Sequence, residues 1–278
     1  MKSICFVTLF VMSISCSLAQ DSISGVFENG ISYMRIENYP TAIEILSKVL
    51  KENPDHGYFR KGYYNLGKAY FLNKNYDSAS VILNSVLIRK FSDNHKQDEQ
   101  YISDSYYKSL ACYNLFELYL EIKQFDSAFY FLDLKYGENL YLGSCGTGYS
   151  YLRKDLDQAR VLIAMGNYTE AKKLIFNTLF RLDEILPSEG VEILKSLYIK
   201  EGKYRNLKKA LDKSSKKVYM RPTDKGYNNY YFKFQKLEIY LGSIPCLDLE
   251  SKECREEFVQ SIKRSEFYIM IDELSRMQ

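Results

Sequence analysis

The chain reads as an all-α solenoid of stacked helix pairs, and three features of its 278 residues say so. First, an Asn-aromatic-x-x-Ala phrase recurs. It appears as Asn38-Tyr39-Pro40-Thr41-Ala42, Asn75-Tyr76-Asp77-Ser78-Ala79, Gln124-Phe125-Asp126-Ser127-Ala128 and Asn167-Tyr168-Thr169-Glu170-Ala171, with a degenerate copy at Lys203-Tyr204-Arg205-Asn206-Leu207. The aromatic positions lie 37, 49, 43 and 36 residues apart, the scale on which one supersecondary unit stacks on the next. Second, each phrase opens an apolar stripe of helical period. Ala42, Ile45, Leu46, Val49 and Leu50 form one, and Ala79, Ile82, Leu83, Val86 and Leu87 the next. Third, small residues recur where two helices must approach, at Gly30 and Gly67 in the first helix of a pair and at the phrase alanines in the second.

In chain order, residues 22–54 give a first helix pair and 58–91 a second. A polar run from Ser92 to Gln100 accounts for the longest spacing, either as a loop or as a lengthening of its flanking helices. A third pair occupies about 104–137. Gly137 to Gly148, with four glycines, reads as a flexible connection. A fourth pair runs over about 150–186 and stops at Pro187; a fifth runs over about 189–218. Tyr227–Leu241 is expected to be an aromatic-rich helix, followed by the break Gly242-Ser243-Ile244-Pro245. A single final helix is expected from Lys252 to Met277, with Phe258, Val259, Ile262, Ile269 and Leu274 on its apolar side. The organisation expected is therefore 1–19 as an export signal, 22–218 as one continuous array of repeats, and 223–278 as atypical helices that seal its end.

The unit Tyr63-Tyr64-Asn65-Leu66-Gly67-Lys68-Ala69-Tyr70, with Ala79 nine residues on, has the form aromatic-x2-Leu-Gly-x2-Tyr…Ala. Cys112-Tyr113-Asn114-Leu115-Phe116-Glu117-Leu118-Tyr119 precedes Ala128 by the same step, and Gly30, Tyr33, Ala42 and Pro54 match in the first unit. In this the chain resembles the tetratricopeptide repeat family over about 22–215, closely in the first three units and less so beyond. The resemblance implies a right-handed α-α superhelix of about five helix pairs with C-terminal capping helices. It also implies a concave groove lined by the first helices, where an extended peptide or a partner helix binds. Mapped position by position, the groove would present Lys61, Tyr64, Asn65 and Lys68, then Tyr113, Asn114 and Glu117, then Arg153, Asp157 and Arg160. Asn65 and Asn114 occupy the same repeat position, where a side-chain amide can serve both groups of a bound backbone.

Composition narrows the function. A net charge of +3 is too small to point to nucleic acid. Thirteen Lys or Arg residues fall between Lys195 and Lys236 against Glu201, Asp212 and Asp224, a solvated face or a contact for an anionic partner or lipid headgroups. The two histidines, His56 and His95, lie between repeats, so no Ser-His-Asp, Cys-His or metal-ligand set can be assembled, and neither an enzyme, a cofactor nor a metal is expected. Cys145, in the glycine-rich connection, is the one alternative nucleophile. Twenty-six tyrosines and no tryptophan suit an adaptable protein-binding surface.

Lys2, the apolar stretch Ile4 to Ile14 and Ser17-Leu18-Ala19 read as an export signal cleaved before Gln20; the alternative is a lipid anchor at Cys16. That stretch is too short to span a bilayer, and no later one is long enough. In an oxidising compartment Cys246 and Cys254 can pair, while Cys112 reads as a core residue. The expectation is a non-catalytic protein- or peptide-binding adaptor of the bacterial envelope, periplasmic or secreted. The alternative is the ligand-sensing or substrate-capturing part of an envelope uptake or signalling system.

Overall fold

The computed structural model describes residues 23–53, 59–89, 97–137, 146–180, 185–202, 204, 206–222, 228–242 and 252–277. Two compact units divide at 143/144, inside the glycine-rich connection. Among the described residues the first holds six helices: α1 (23–35), α2 (Tyr39–Glu52), α3 (Phe59–Leu72), α4 (Tyr76–Ile88), α5 (Gln97–Glu121) and α6 (Phe125–Tyr136). The second holds α7 (Gly146–Ala164), α8 (Tyr168–Phe176), α9 (Ile185–Glu201) and α10 (Leu207–Ser215). The strands β1 (Tyr219–Pro222), β2 (Asn228–Phe234) and β3 (Leu237–Gly242) follow, then α11 (Lys252–Arg264) and α12 (Glu266–Arg276). Each unit is built mainly of consecutive packed helix pairs, an all-α architecture to which the second adds a small three-stranded sheet among the described residues.

The recurring phrase is a turn and a helix start built the same way each time. At its first residue the backbone N–H reaches back five positions, Asn38 to Tyr33 O, Asn75 to Tyr70 O, Gln124 to Tyr119 O and Asn167 to Leu162 O, at 2.8–2.9 Å. One residue earlier the chain is left-handed, with φ +60° at Glu37, Lys74 and Lys123 and +81° at Gly166, which closes each preceding helix. The phrase asparagine then caps the second helix: the Asn38 and Asn75 side chains accept from Thr41 N–H and Ser78 N–H. The phrase alanine makes the first helical hydrogen bond, to the carbonyl of the capping residue, and is fully buried in all four copies.

Burial of that alanine brings the paired helices together. A Cβ on Gly30 would lie 3.0 Å from Leu46, and one on Gly67 2.7 Å from Leu83 Cγ. Successive pairs meet through α2 on α3, α4 on α5 and α3 on α5. Here the close approach is at Gly62, whose Cβ would stand 2.6 Å from Leu50 and 2.9 Å from Phe27. Tyr119 fills its seam by stacking on Phe131 at 5.4 Å, its hydroxyl 2.9 Å from that of Ser80. Cys112 is buried in the same core, and burial pushes its thiol up to about 12.

The long third spacing is taken up by helix, since α5 already begins at Gln97. Part of the expected flexible connection is also helical, because α7 starts at Gly146. Pro187 does not end a helix; it lies in the first turn of α9, where its missing N–H has no intrahelical partner to lose. The expected final helix is two. Ser265 adopts extended geometry between α11 and α12 and caps the latter by accepting from Tyr268 N–H at 3.2 Å. Ile269 is consequently half exposed, whereas Phe258, Ile262 and Leu274 are buried.

Residues 228–242, expected to be helical, form an antiparallel hairpin that β1 extends to a three-stranded sheet. Tyr230, Phe232 and Phe234 point inward with Ile239 and Leu241, while Asn229, Tyr231 and Lys233 alternate outward. The two-residue β2–β3 turn places both Gln235 and Lys236 at positive φ, +50° and +69°. Tyr198 steadies it by donating to Gln235 Oε1 at 2.9 Å. The inner face of this sheet rests on α8 and α10, and α9 and α10 both pack on α12. Phe176, Phe180, Phe232, Phe234 and Phe267 interlock there with ring centroids 5.7–6.2 Å apart.

Residues 1–22, with the expected export signal and Cys16, lie outside the described residues, as do His56, His95, Cys145 and Cys246. Among the described residues no helix is long and apolar enough to cross a membrane, and no group of His, Cys, Asp or Glu could hold a metal ion.

Candidate functional site

Of the expected groove residues, the first unit brings Lys61, Tyr64, Asn65 and Asn114 into one neighbourhood on α3 and α5. Their roles divide. The Asn114 amide donates to the Tyr64 hydroxyl at 3.2 Å and to the carbonyl of Leu110 at 3.1 Å. Both amide hydrogens are thereby used, and Asn114 and Tyr64 are each 8% exposed. Asn114 thus acts as a strut between two hairpins. Asn65, half-buried, gives one hydrogen to the carbonyl of Lys61 at 2.7 Å and keeps amide capacity toward solvent. Lys61 reaches Glu28 of α1 at 2.7 Å, and Lys68 is half-buried with no ion pair among the described residues.

Tyr113 turns from this neighbourhood toward α6, where the Lys135 ammonium lies 4.0 Å from its ring centroid. Glu117, also on α5, is half-buried. Arg153, Asp157 and Arg160 belong to the second unit and form their own cluster. Asp157 is fully buried, with Arg153 at 3.4 Å and Arg160 at 3.5 Å, and Arg153 also pairs with Glu189 of α9. Such an arrangement fastens α7 internally and onto α9.

Three further side chains join the α3–α5 neighbourhood. Tyr107 packs on Tyr64 at 5.7 Å and Tyr106 on Tyr107 at 5.3 Å, with Tyr106 43% exposed. Arg60 is buried one turn before Tyr64. Burial, then the neighbouring Tyr106, Tyr64 and Glu28, push the Tyr107 hydroxyl up to about 12, while Arg60 pulls the other way. Burial likewise raises Tyr64, against the opposing hydrogen bond from Asn114. Tyr64 and Tyr107 therefore both remain neutral at ordinary pH. The signal for Tyr107 was present: it lies seven residues before Asn114, two helical turns along the same face, once α5 is carried back through Gln97. Arg60 is similarly four residues before Tyr64.

The hairpins that build this neighbourhood correspond to a known repeat: a tetratricopeptide repeat family model matches residues 35–95, which take in α2, α3 and α4. Residues 35–95 are similar to a tetratricopeptide repeat. Repeats of this family generally mediate protein–protein interaction. No curated protein matches the chain.

Proposed function

We propose that this protein is a non-catalytic scaffold of the bacterial cell envelope that binds a protein or peptide partner through the first-helix face of its tetratricopeptide repeats. The observation that carries the reading is the tyrosine ladder Tyr64–Tyr107–Tyr106. It is held at its inner end by Asn114 and reaches the surface at Tyr106, 43% exposed, while Tyr64 shares its helix with Lys61, Asn65 and Lys68. A rigid aromatic group that needs little ordering, flanked by cations and an amide with spare valence, suits an extended backbone or an acidic helix. Export is supported by Lys2, the apolar stretch from Ile4 to Ile14 and the small residues Ser17 and Ala19.

Capture from envelope extract tests the reading. Tyr106→Ala with Lys68→Glu changes one exposed and one half-buried side chain, so partner recovery is expected to fall while Tm drops by no more than a few degrees. Asn114→Ala behaves differently. It strands the Tyr64 hydroxyl and is expected to cost about 1–3 kcal/mol of stability, read as a lower Tm. Undiminished capture by the first variant would contradict the proposal. So would stabilisation by a sugar in the absence of any protein partner.

A further inference from the structure

The second unit contains a concavity of ≈ 530 Å³ lined by Lys213, Ser214, Lys217, Tyr219 and Lys233. Several cations elsewhere in this unit are matched, whereas Lys209, Lys216, Lys236 and Lys263 are exposed with no ion pair among the described residues. Lys172 pairs with Glu201, and Lys195 with Glu273 at 2.9 Å. Lys208, on the same helix as Lys213, pairs with Asp212 and Asp272 at 3.6 Å. Arg221 takes both oxygens of Glu238 at 2.7 and 2.8 Å, and Tyr219 donates to the same carboxylate. The nearest acid on the sheet is therefore committed. Lys213, Lys217 and Lys233 have no ion pair among the described residues, and the Ser214 hydroxyl has no hydrogen bond among them.

Helix electrostatics account for only part of the cluster. Lys213 and Lys217 lie at the C-terminal end of α10, where cations offset the helix dipole. Lys233 arrives from β2. The sheet register pairs Tyr219 with Tyr231, so Lys217 and Lys233 both lie two residues beyond that pair at one end of the ladder. Like charges gathered this way repel, and an anion of matching valence relieves the repulsion.

We propose that this concavity binds a phosphate-bearing small molecule. The cations are all lysines, point charges that suit a tetrahedral, multiply charged phosphate, rather than the planar fork by which arginine recognises a carboxylate. A phosphomonoester brings close to two negative charges, against one for a carboxylate. The volume falls within the range of small-molecule pockets and exceeds what a bare ion needs. Tyr219 supplies an aromatic wall, held in place by stacking on Tyr231 at 5.9 Å. The phosphate has two sources, a soluble ester or a lipid headgroup, and the test separates them.

Titration calorimetry of the full chain with inorganic pyrophosphate at low salt gives the first arm. Sedimentation with phosphatidylcholine vesicles containing phosphatidic acid gives the second. Two variants are compared with the wild-type chain: Lys213→Gln, Lys217→Gln and Lys233→Gln together, and Lys209→Gln with Lys216→Gln, which removes exposed lysines of the same region outside the lining. The triple change is expected to weaken binding roughly tenfold or more, the control pair less than about twofold. Lysine-dependent binding of pyrophosphate supports the proposal with a soluble ligand, and lysine-dependent binding of vesicles alone supports it with a lipid. The proposal is overturned if the wild-type chain binds neither probe, if the triple variant binds as wild type does, or if the control pair weakens binding equally. Melting curves of all three proteins establish that the variants are folded.

Discussion

Phe267→Ala is expected to cost about 3–5 kcal/mol, the largest single-residue effect in the second unit. Phe267 opens α12 and is 1% exposed, with Phe176 and Phe234 both 5.7 Å away and Phe180 at 6.1 Å. Those rings come from α8, from the turns that follow it and from β2, so one side chain joins a repeat helix, the sheet and the terminal helix. Truncation removes the transfer free energy of a buried ring and leaves a cavity whose walls are themselves rigid rings, which limits collapse. Urea unfolding followed by circular dichroism measures the loss as a lower midpoint at constant slope. A change below about 1 kcal/mol would mean that the aromatic cluster does not close the unit as described.

Gly67→Val is expected to destabilise the first unit by about 1–3 kcal/mol through overpacking. The added Cβ would fall 2.7 and 2.8 Å from Cγ and Cδ2 of Leu83 and 3.3 Å from Ile82. Leu83 is fully buried, so it can move aside only by displacing its neighbours. Gly25→Ala is the matched control. A Cβ at Gly25 meets nothing within 4 Å, and that variant is expected to be as stable as wild type or slightly more so. Thermal melting of the two variants separates a glycine required by helix approach from one that is incidental.

The tetratricopeptide hairpins were legible because their determinants are local and repeat. In the first two pairs a glycine and an alanine set the approach of the helices, and the alanine recurs in the next two. The C-terminal sheet was hidden for two identifiable reasons. Aromatics occupy both of its faces, with Tyr230, Phe232 and Phe234 inside and Tyr231 and Tyr240 outside, which blurs the period-two alternation of a half-buried strand. Its hairpin turn is also made by Gln235 and Lys236, without the Asn or Gly that announces positive φ. Side-chain strong preference did favour strand over helix across Tyr230–Phe234, since aromatics are enriched in sheets.

Within the proposed binding face, sequence position placed Lys61, Asn65 and Asn114 on the intended helices but could not tell a strut from an amide with capacity left toward solvent. Asn65 and Asn114 are equivalent in the repeat. What separates them is the Tyr64 hydroxyl, fifty residues away in the chain, which reaches Asn114. The basic run between Lys195 and Lys236 was visible as composition. That Lys208 and Arg221 are neutralised while Lys213, Lys217 and Lys233 gather around one cavity depends on the sheet register and the position of α12.

The proposed function requires that a partner engage the first-helix face of the repeats. It is tested most directly by a photocrosslinking residue installed at Tyr106 on α5 or, separately, at Val81 on α4 and Tyr130 on α6, all well exposed. The account predicts a discrete protein adduct from position 106 and none from 81 or 130. Adducts from 81 or 130 with none from 106 would contradict it.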